Sequence, residues 1–209
     1  MRPEAILRFL DIAWELKRVR RQGWVDRGMD DPESTADHSW GVALLAWMLA
    51  GERDDLDRGR VLLLGLVHDL PEALAGDATP FDSYRDASGM IPDDRLRNVP
   101  EYDQEGREQK SESEHAALKE MLRDVPASLA GEIREAWQEY DRASTAEARF
   151  VKQVDKLETL LQAELEKRRD PQVNIDSFRL GAERDVVDPD LQALVEVLLD
   201  AETGGDDSR

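Results

Sequence analysis

The sequence has no cysteine, which excludes disulfides, thiolate metal ligands and a cysteine nucleophile. It has three histidines, and aromatic residues make up 6% of its 209 positions. No apolar segment follows a basic start, so no signal peptide is expected. The apolar run at 61–67 is much shorter than the about 20 residues that a membrane-crossing helix needs. These absences predict a soluble, cytoplasmic protein that has no membrane partner.

The sequence also has fewer basic than acidic residues. The chain has 28 lysines and arginines against 47 aspartates and glutamates, which gives a formal net charge of −19. Such a surface repels phosphate backbones, so the composition argues against a nucleic-acid-binding module. A small anionic substrate remains compatible with this charge, because a metal ion and a few arginines can dominate the field inside one site.

Apolar residues recur at helical spacing along most of the chain. Helices are expected at about 3–18, 35–50, 107–122, 126–140, 145–167 and 189–201. No stretch alternates convincingly with the period of two that a half-buried strand shows. The expected fold is therefore all-α, with one domain over 1–202 and a disordered tail at 203–209.

A polar stretch at 77–105 interrupts the helical pattern. It contains several prolines and few regularly spaced apolar positions, so it predicts a long loop near the active site. Phe81, Tyr84 and Met90 lie within it and are candidates to close over a site.

The densest group of ionisable residues follows the apolar run at 61–67. It comprises His68, Asp69, Glu72 and Asp77. Imidazole beside carboxylate is a natural ligand set for a divalent cation, and burying these groups without a shared partner is unfavourable. Glu72 shares a helix face with His68 and Asp69, because residues three and four apart are neighbours on a helix. The His68–Asp69 pair alone is equally consistent with a structural hydrogen-bonded pair.

Pro71 and Gly76 predict the backbone path through this group. Pro71 has no N–H to donate to the carbonyl of Val67, so the helix is expected to break at Leu70. The proline then suits the start of a short second helix. Gly76 can end that helix in a left-handed conformation, which turns Asp77 back toward the same site.

Two further residues on separate helices point toward the same core. His38 shares a stripe with Val42 and Leu45, so its side chain is expected to face inward. A lone histidine in this position is more often a satisfied core residue. Asp155 neighbours Val151 and Val154 on another inward stripe, where an acid must be paired or metal-bound. A salt bridge with Lys152 or Arg149 is the alternative to a metal for Asp155.

A basic cluster at 17–21 precedes Gly23 and Trp24, which is unexpected in so acidic a chain. Cations are favoured at a helix C-terminus, which is the simpler interpretation. In the functional interpretation, Arg21 binds a phosphate bidentately and Trp24 forms a packing or stacking wall.

The order of His38, His68-Asp69 and Asp155 resembles that of the HD superfamily of metal-dependent phosphohydrolases. Over about residues 7–166 the chain is similar to the HD-domain 5′-deoxynucleotidases, which remove phosphate from deoxynucleoside monophosphates. The matching segments are Arg21-Gln22-Gly23-Trp24, Pro32-Glu33-Ser34, Asp37-His38, Leu66-Val67-His68-Asp69, Glu72, Gly76-Asp77, Trp137-Gln138-Glu139-Tyr140 and 146–155.

This resemblance implies a single HD-type helical domain and a role for each candidate residue. One divalent cation (Mn, Co, Mg, Fe or Zn) would be held by four ligands: His38, His68, Asp69 and Asp155. The hydrolytic step would be served by Glu72 and Asp77, which in some relatives bind a second metal together with the carbonyl at the position of Ala78. The substrate's phosphate and sugar would contact Arg21 and Trp24.

The resemblance also implies a homodimer, for which the tryptophans at 14, 40, 47 and 137 are candidate contacts, although core packing explains most of them equally well. Two departures from the family pattern stand out. The segment 82–105 is longer than its family counterpart, which bears on substrate range, and Pro71 is not universal in the family.

The expected reaction is metal-dependent hydrolysis of deoxynucleoside 5′-monophosphates, which are small-molecule nucleotide substrates. This chemistry suits the residues, because phosphate-monoester hydrolysis needs neutralised phosphoryl oxygens and an activated water. One alternative is an HD enzyme that acts on another small phosphate ester. A second is a non-catalytic, metal-binding HD regulatory module. A di-iron oxygenase is more remote, because it would need more histidine ligands than this chain has.

Overall fold

The computed structural model describes residues 3–86 and 89–200. Within these ranges the chain is α-helical, and its β-structure is one isolated antiparallel bridge between Arg20 and Ser34. The all-α prediction is confirmed. The α-helices are α1 (Pro3–Ala13), α2 (Gln22–Val25), α3 (Thr35–Leu49), α4 (Arg58–Val67), α5 (Glu72–Ala75), α6 (Asp93–Leu96), α7 (Gln104–Met121), α8 (Ala127–Asp141), α9 (Ala146–Arg169), α10 (Asp176–Asp185) and α11 (Pro189–Asp200). The tail expected at 203–209 lies outside the described residues.

Helices α3, α4 and α9 form the centre of the fold. Their buried apolar residues belong to one core cluster, which α8, α10 and α11 extend. Helices α3 and α4 approach closely at Gly65, where a Cβ would lie 2.8 Å from the Cα of Ala43. Any larger side chain at position 65 would therefore push these two helices apart.

Helix α3 begins where its sequence predicts. The Ser34 side chain accepts a hydrogen bond from the backbone N–H of Asp37, and the Asp37 carboxylate accepts one from the backbone N–H of Ser34. This capping box satisfies two N–H groups that would otherwise lack partners. It fixes the first turn of the helix, from which His38 projects into the core.

The chain breaks between α4 and α5, although α4 ends three residues before Leu70, where Pro71 predicts the break. Helix α4 ends at Val67 and α5 begins at Glu72, with Pro71 immediately before it. Gly76 ends α5 with a φ of +79°, which is readily available only to glycine. The turn brings Asp77 back beside Arg21, and their side chains are 3.4 Å apart.

The segment at 77–105 is more structured than the expected long loop. It contains a 3₁₀ helix at Pro80–Tyr84 and the short helix α6. Phe81, Ile91 and Leu96 form a small buried cluster between them, and these widely spaced apolar residues give no helical period in the sequence. Tyr84 and Met90 have substantial exposure, so of the three lid candidates only Phe81 is buried.

Helix α10 was not expected from the sequence. It packs against α9 and supplies the core residue Ala182. No helix among residues 3–86 and 89–200 combines the length and the apolar character that crossing a membrane requires.

Candidate metal-binding active site

Four of the predicted site residues converge where α3, α9 and the end of α4 meet. The Nε2 atom of His38 lies 3.7 Å from Oδ2 of Asp69 and 3.2 Å from Oδ1 of Asp155. The Nε2 atom of His68 lies 3.1 Å from the same Asp69 oxygen. Residues that are 117 positions apart in the sequence, from His38 to Asp155, thus present nitrogen and oxygen atoms to one point.

Both histidines are held in the same manner. The Nδ1 atom of His68 donates to the carbonyl of Gly65 at 2.8 Å. The Nδ1 atom of His38 donates to Oε2 of Glu158 at 2.5 Å. Because each Nδ1 is occupied by an acceptor, each Nε2 is left as the free nitrogen that faces the cluster.

The atoms at the centre of the cluster fit a cation. Nε2 of His38, Nε2 of His68 and Oδ2 of Asp69 are buried, and they have no hydrogen-bond partner among the described residues. These three residues can place their ligand atoms within 4.8 Å of one another. Buried polar atoms without partners are unfavourable, and a divalent cation accepts this mixture of imidazole and carboxylate donors. The donor set therefore fits the metal that the sequence predicts.

The charges in the cluster are strongly coupled. Burial and the nearby Arg21 act to lower the pKa of His38, but the carboxylates of Asp155 and Glu158 outweigh them and raise it to about 10. Burial acts to raise the pKa of Asp155, but Lys156 and His38 hold it well below its usual value. A proton on His38 and a cation at the cluster are therefore alternative ways to neutralise the same carboxylates.

Glu72 and Asp77 border a cavity of about 320 Å³ that also contains His68 and Asp69. We call it the carboxylate cavity. Glu72 is buried, and its Oε2 accepts a hydrogen bond from the Thr35 hydroxyl at 3.2 Å. Burial, followed by the charges of Asp69 and Asp77, raises the pKa of Glu72 well above its usual value. A carboxyl group of this kind can hold a proton near neutral pH.

Asp77 and Ala78 have defined partners. The Asp77 carboxylate accepts a hydrogen bond from the backbone N–H of Gln22 at 2.8 Å and lies beside Arg21. The carbonyl of Ala78 accepts a hydrogen bond from the Tyr102 hydroxyl at 2.5 Å. Ala78 also borders the carboxylate cavity, together with Glu72 and Asp77.

Arg21 stands between two cavities. Its guanidinium is 3.6 Å from Asp69 and 3.4 Å from Asp77. Beyond it lies a second cavity of about 320 Å³, which we call the aromatic cavity because Trp24, Phe81 and Phe178 line it. Arg21 and Asp77 border both cavities.

Trp24 is almost fully buried, with 2% exposure, yet it lines the aromatic cavity. Its indole N–H donates to Oε1 of Glu33 at 3.1 Å, and its ring packs on Phe178 with 4.7 Å between centroids. The indole is thus both a core residue and a wall of the site.

Several residues near the site were not found from the sequence. The Lys110 ammonium, from α7, lies 3.9 Å from Glu72. Lys156 and the hydroxyl of Tyr140 contact Asp155, at 3.3 and 3.2 Å respectively. Lys156 therefore takes the place of Lys152 or Arg149, the salt-bridge partners that the sequence suggests. His115 lies outside the site, where its ring packs edge-on against Trp137.

The chain belongs to the HD domain family, whose model matches residues 13–191. It is 37% identical over 159 residues to the human protein named 5′-deoxynucleotidase HDDC2, an alignment that covers 76% of this chain and 67% of the human protein. It is 30% identical over 199 residues to 5′-deoxynucleotidase YGK1 of Saccharomyces cerevisiae, with 95% and 83% covered.

Solved structures show the same fold. A conserved hypothetical protein from Pyrococcus furiosus superimposes with a TM-score of 0.66 at 27% sequence identity. The superposition covers 91% of this chain and 97% of the archaeal protein.

Proposed function

We propose that this HD-domain protein is a metal-dependent 5′-deoxynucleotidase that hydrolyses deoxynucleoside 5′-monophosphates to deoxynucleosides and phosphate. The observation that carries the proposal is the convergence of Nε2 of His38, Nε2 of His68 and Oδ2 of Asp69 beside a buried Glu72 and an arginine. The names of the human and yeast relatives give the substrate class.

The cation would be held by His38, His68, Asp69 and Asp155. This nitrogen and oxygen ligand set suits manganese, cobalt, iron, magnesium or zinc. When bound, such an ion neutralises phosphoryl oxygens and lowers the pKa of water. His38 and His68 are buried, and each is held by a hydrogen bond at Nδ1, so both imidazoles are preorganised for an ion.

Glu72 would move a proton during hydrolysis. Its raised pKa suits a general acid for the leaving 5′-oxygen, and after proton donation it can accept hydrogen bonds from water. Lys110 lies 3.9 Å from Oε1 of Glu72, and the Thr35 hydroxyl donates to Oε2. Because each oxygen has its own neighbour, the orientation of the carboxyl group is fixed. Asp77, anchored by the N–H of Gln22, would orient the water.

Arg21 would bind the phosphate at the junction of the two cavities. A guanidinium suits this role because its planar fork matches two phosphoryl oxygens. The guanidinium already neighbours the carboxylates of Asp69 and Asp77, so the phosphate would share it with them.

The nucleoside would lie in the aromatic cavity. A volume of about 320 Å³ is within the range of small-molecule sites. Phe81 and Phe178 line the wall that a base would contact, and Trp24 lies beside Arg21 in the same cavity, where the sugar next to the phosphate would sit. A ribose 2′-hydroxyl would meet this apolar wall, so we expect deoxynucleotides to be preferred.

A second cation held by Glu72, Asp77 and the carbonyl of Ala78 is a further part of the proposal. The Tyr102 hydroxyl already donates a hydrogen bond to that carbonyl, so it would compete with the cation for the oxygen. A Tyr102→Phe variant would free the oxygen, so it should bind a second equivalent of Mn²⁺ more tightly than the wild type does.

We also propose that the protein is a homodimer. Trp40, Leu44, Trp47 and Met48 recur at helical spacing on α3 and are exposed, with 65% exposure for Trp40 and 57% for Met48. Exposed apolar side chains grouped in this way are typical of an interface. Of the other tryptophans named above, Trp137 is buried in the core and Trp14 is exposed on a different element. A Trp40→Glu variant should sediment as a monomer if this face is the contact. The cytoplasmic location stays a prediction.

The experiment that tests the function is phosphate release from a panel of nucleotides, with Mn²⁺ or after chelation. Release from deoxynucleoside monophosphates that depends on metal supports the proposal. Release from polyphosphates alone would identify another HD phosphohydrolase, and release from none would favour a metal-binding regulatory module. Asp69→Ala is the control for contaminating phosphatase.

A further inference from the structure

Behind the proposed metal site lies a buried glutamate that has no place in the mechanism above. Glu158 has 8% exposure, and it does not line the carboxylate cavity. Its Oε2 accepts the hydrogen bond from Nδ1 of His38 at 2.5 Å, and His38 itself is fully buried. The carboxylate therefore faces the side of the imidazole that points away from the other site residues.

One helix holds His38 from both sides. Asp155 and Glu158 are three residues apart on α9, which places them on the same face. Asp155 approaches Nε2 at 3.2 Å, while Glu158 binds Nδ1. The imidazole is thus positioned between two side chains whose separation is set by the helix.

Gly41 provides the space that Glu158 occupies. A Cβ at position 41 would lie 2.4 Å from Oε1 of Glu158 and 3.1 Å from its Cδ. Gly41 is in the interior of α3, three residues after His38, where glycine is less favourable than alanine. Its missing side chain lets a glutamate from α9 reach the histidine on α3.

We propose that Glu158 is a positioning residue for the metal site, and that Gly41 is required for it. The carboxylate fixes the tautomer and the direction of His38, so that Nε2 is presented to the cation. The inference rests on the proposed metal site, although it does not depend on the substrate. Carboxylates in this position typically raise metal affinity 10- to 100-fold.

The same cluster invites another interpretation, in which Glu33, His38 and Glu158 themselves hold an ion. Their ligand atoms also lie within 4.8 Å of one another. A separation of 2.5 Å between Nδ1 of His38 and Glu158 is a direct hydrogen bond, which leaves no room for a cation between these atoms. Glu33 is moreover engaged by the Trp24 indole N–H.

The test is Mn²⁺ binding to the full chain, measured from the free-ion signal in electron paramagnetic resonance without substrate. Glu158→Ala should raise the Kd about 10- to 100-fold, and Glu158→Gln should recover part of this loss, because the amide oxygen can still accept from Nδ1. Gly41→Ala should weaken binding although it removes no polar group.

The matched control is Glu164, another buried glutamate of α9, which accepts hydrogen bonds from Arg179 at 2.7 and 2.9 Å and lines neither cavity. Glu164→Gln should lower the melting temperature and leave the Kd for Mn²⁺ unchanged. In a double-mutant cycle, Gly41→Ala should cause no further loss of affinity once Glu158 is alanine.

An increase in Kd smaller than about tenfold in Glu158→Ala would overturn the proposal. So would an equal loss in Glu164→Gln, or the loss of a second equivalent of Mn²⁺ from Glu158→Ala. If Glu158→Ala does not fold, an unchanged Kd in both Glu158→Gln and Gly41→Ala would have the same meaning. Since no nucleotide is present, these results stand apart from whether deoxynucleotides are substrates.

Discussion

The two cavities that meet at Arg21 are built in different ways. The carboxylate cavity takes its proposed metal ligands, such as His68 and Asp155, from the ends and faces of helices packed in the central core, and residues 77–80 and Tyr102 complete its wall. The aromatic cavity is lined by the segment at 79–100 and by α10, which supplies Phe178, together with Trp24 from α2 and two residues of α9. The proposed metal ligands therefore come from the central helices, whereas most of the aromatic cavity comes from elements outside α3 and α4.

This difference predicts that substitutions on the two sides will separate in kind. Changes in the carboxylate cavity should remove metal binding or turnover for every substrate. Changes in the aromatic cavity should alter discrimination between substrates and leave the metal in place.

The largest effect is expected at Asp69, whose buried Oδ2 lies 3.1 Å from Nε2 of His68 and 3.7 Å from Nε2 of His38. Asp69→Ala should abolish metal binding and activity together, because it removes the central oxygen. His38→Ala should weaken both strongly. Elemental analysis of purified protein measures this directly, and equal metal content in wild type and Asp69→Ala would refute the assignment.

Glu72 should separate turnover from metal binding. Glu72→Ala should retain the first metal and lose about 10²–10⁴-fold in kcat, which is typical for one general acid or base. Steady-state kinetics and metal analysis on the same sample provide the measurement. If the variant loses all its metal, Glu72 is instead a primary ligand.

Arg21 lies at the boundary, so its loss should affect all phosphate monoesters alike. Arg21→Ala should lower kcat/KM by the value of a charge-assisted hydrogen bond, about 1.5–3 kcal/mol, or about 10- to 100-fold. Lysine should restore only part of the loss, because it lacks the planar fork. Full activity in Arg21→Lys would show that a point charge suffices.

Trp24 should set the preference for deoxyribose. Trp24→Ala should reduce the preference for a deoxynucleotide over its ribonucleotide, measured as the ratio of their kcat/KM values. The expected loss corresponds to about 1–3 kcal/mol, the cost of burying an unpaired hydroxyl. Turnover of the deoxy substrate should fall less. Phe81→Ala, which alters another wall of the same cavity, is the comparison variant. Unchanged discrimination in Trp24→Ala would leave the indole with a packing role alone.

The smallest effect concerns stability. The pKa of Glu72 is raised on folding, so the folded state binds its proton more tightly, and stability falls as pH rises above the unfolded value of 4.5. Glu72→Gln should therefore increase the free energy of unfolding of the chelated protein at pH 7.5. The gain should shrink toward pH 5, which urea unfolding at both pH values would measure. A loss of stability at pH 7.5 would contradict the assigned pKa direction.

The same division describes what could be predicted from the sequence. His68, Asp69 and Glu72 lie within one turn and a half, and Pro71 and Gly76 specify the break around them, so local rules suffice. Helical periodicity likewise predicts that the side chain of His38 faces the core. These rules do not reveal Glu158 as its partner, because that contact joins two helices 120 residues apart.

The aromatic cavity shows the limit more clearly. The segment at 77–105 was expected to be a loop because its short helices bury only three scattered apolar residues, which leave no period in the sequence. Helix α10 and Phe178 reach the site through packing on α9. Such contacts follow from tertiary packing, which a single sequence does not encode in any local pattern.

The most direct test of the whole account is a crystal structure of Glu72→Ala with Mn²⁺ and a deoxynucleoside 5′-monophosphate. Anomalous scattering would locate the ion independently of the nucleotide. We expect one strong peak bonded to His38, His68, Asp69 and Asp155, with the phosphate beside Arg21 and the base in the aromatic cavity. A Mn²⁺ peak elsewhere, or a nucleotide bound outside both cavities, would contradict it.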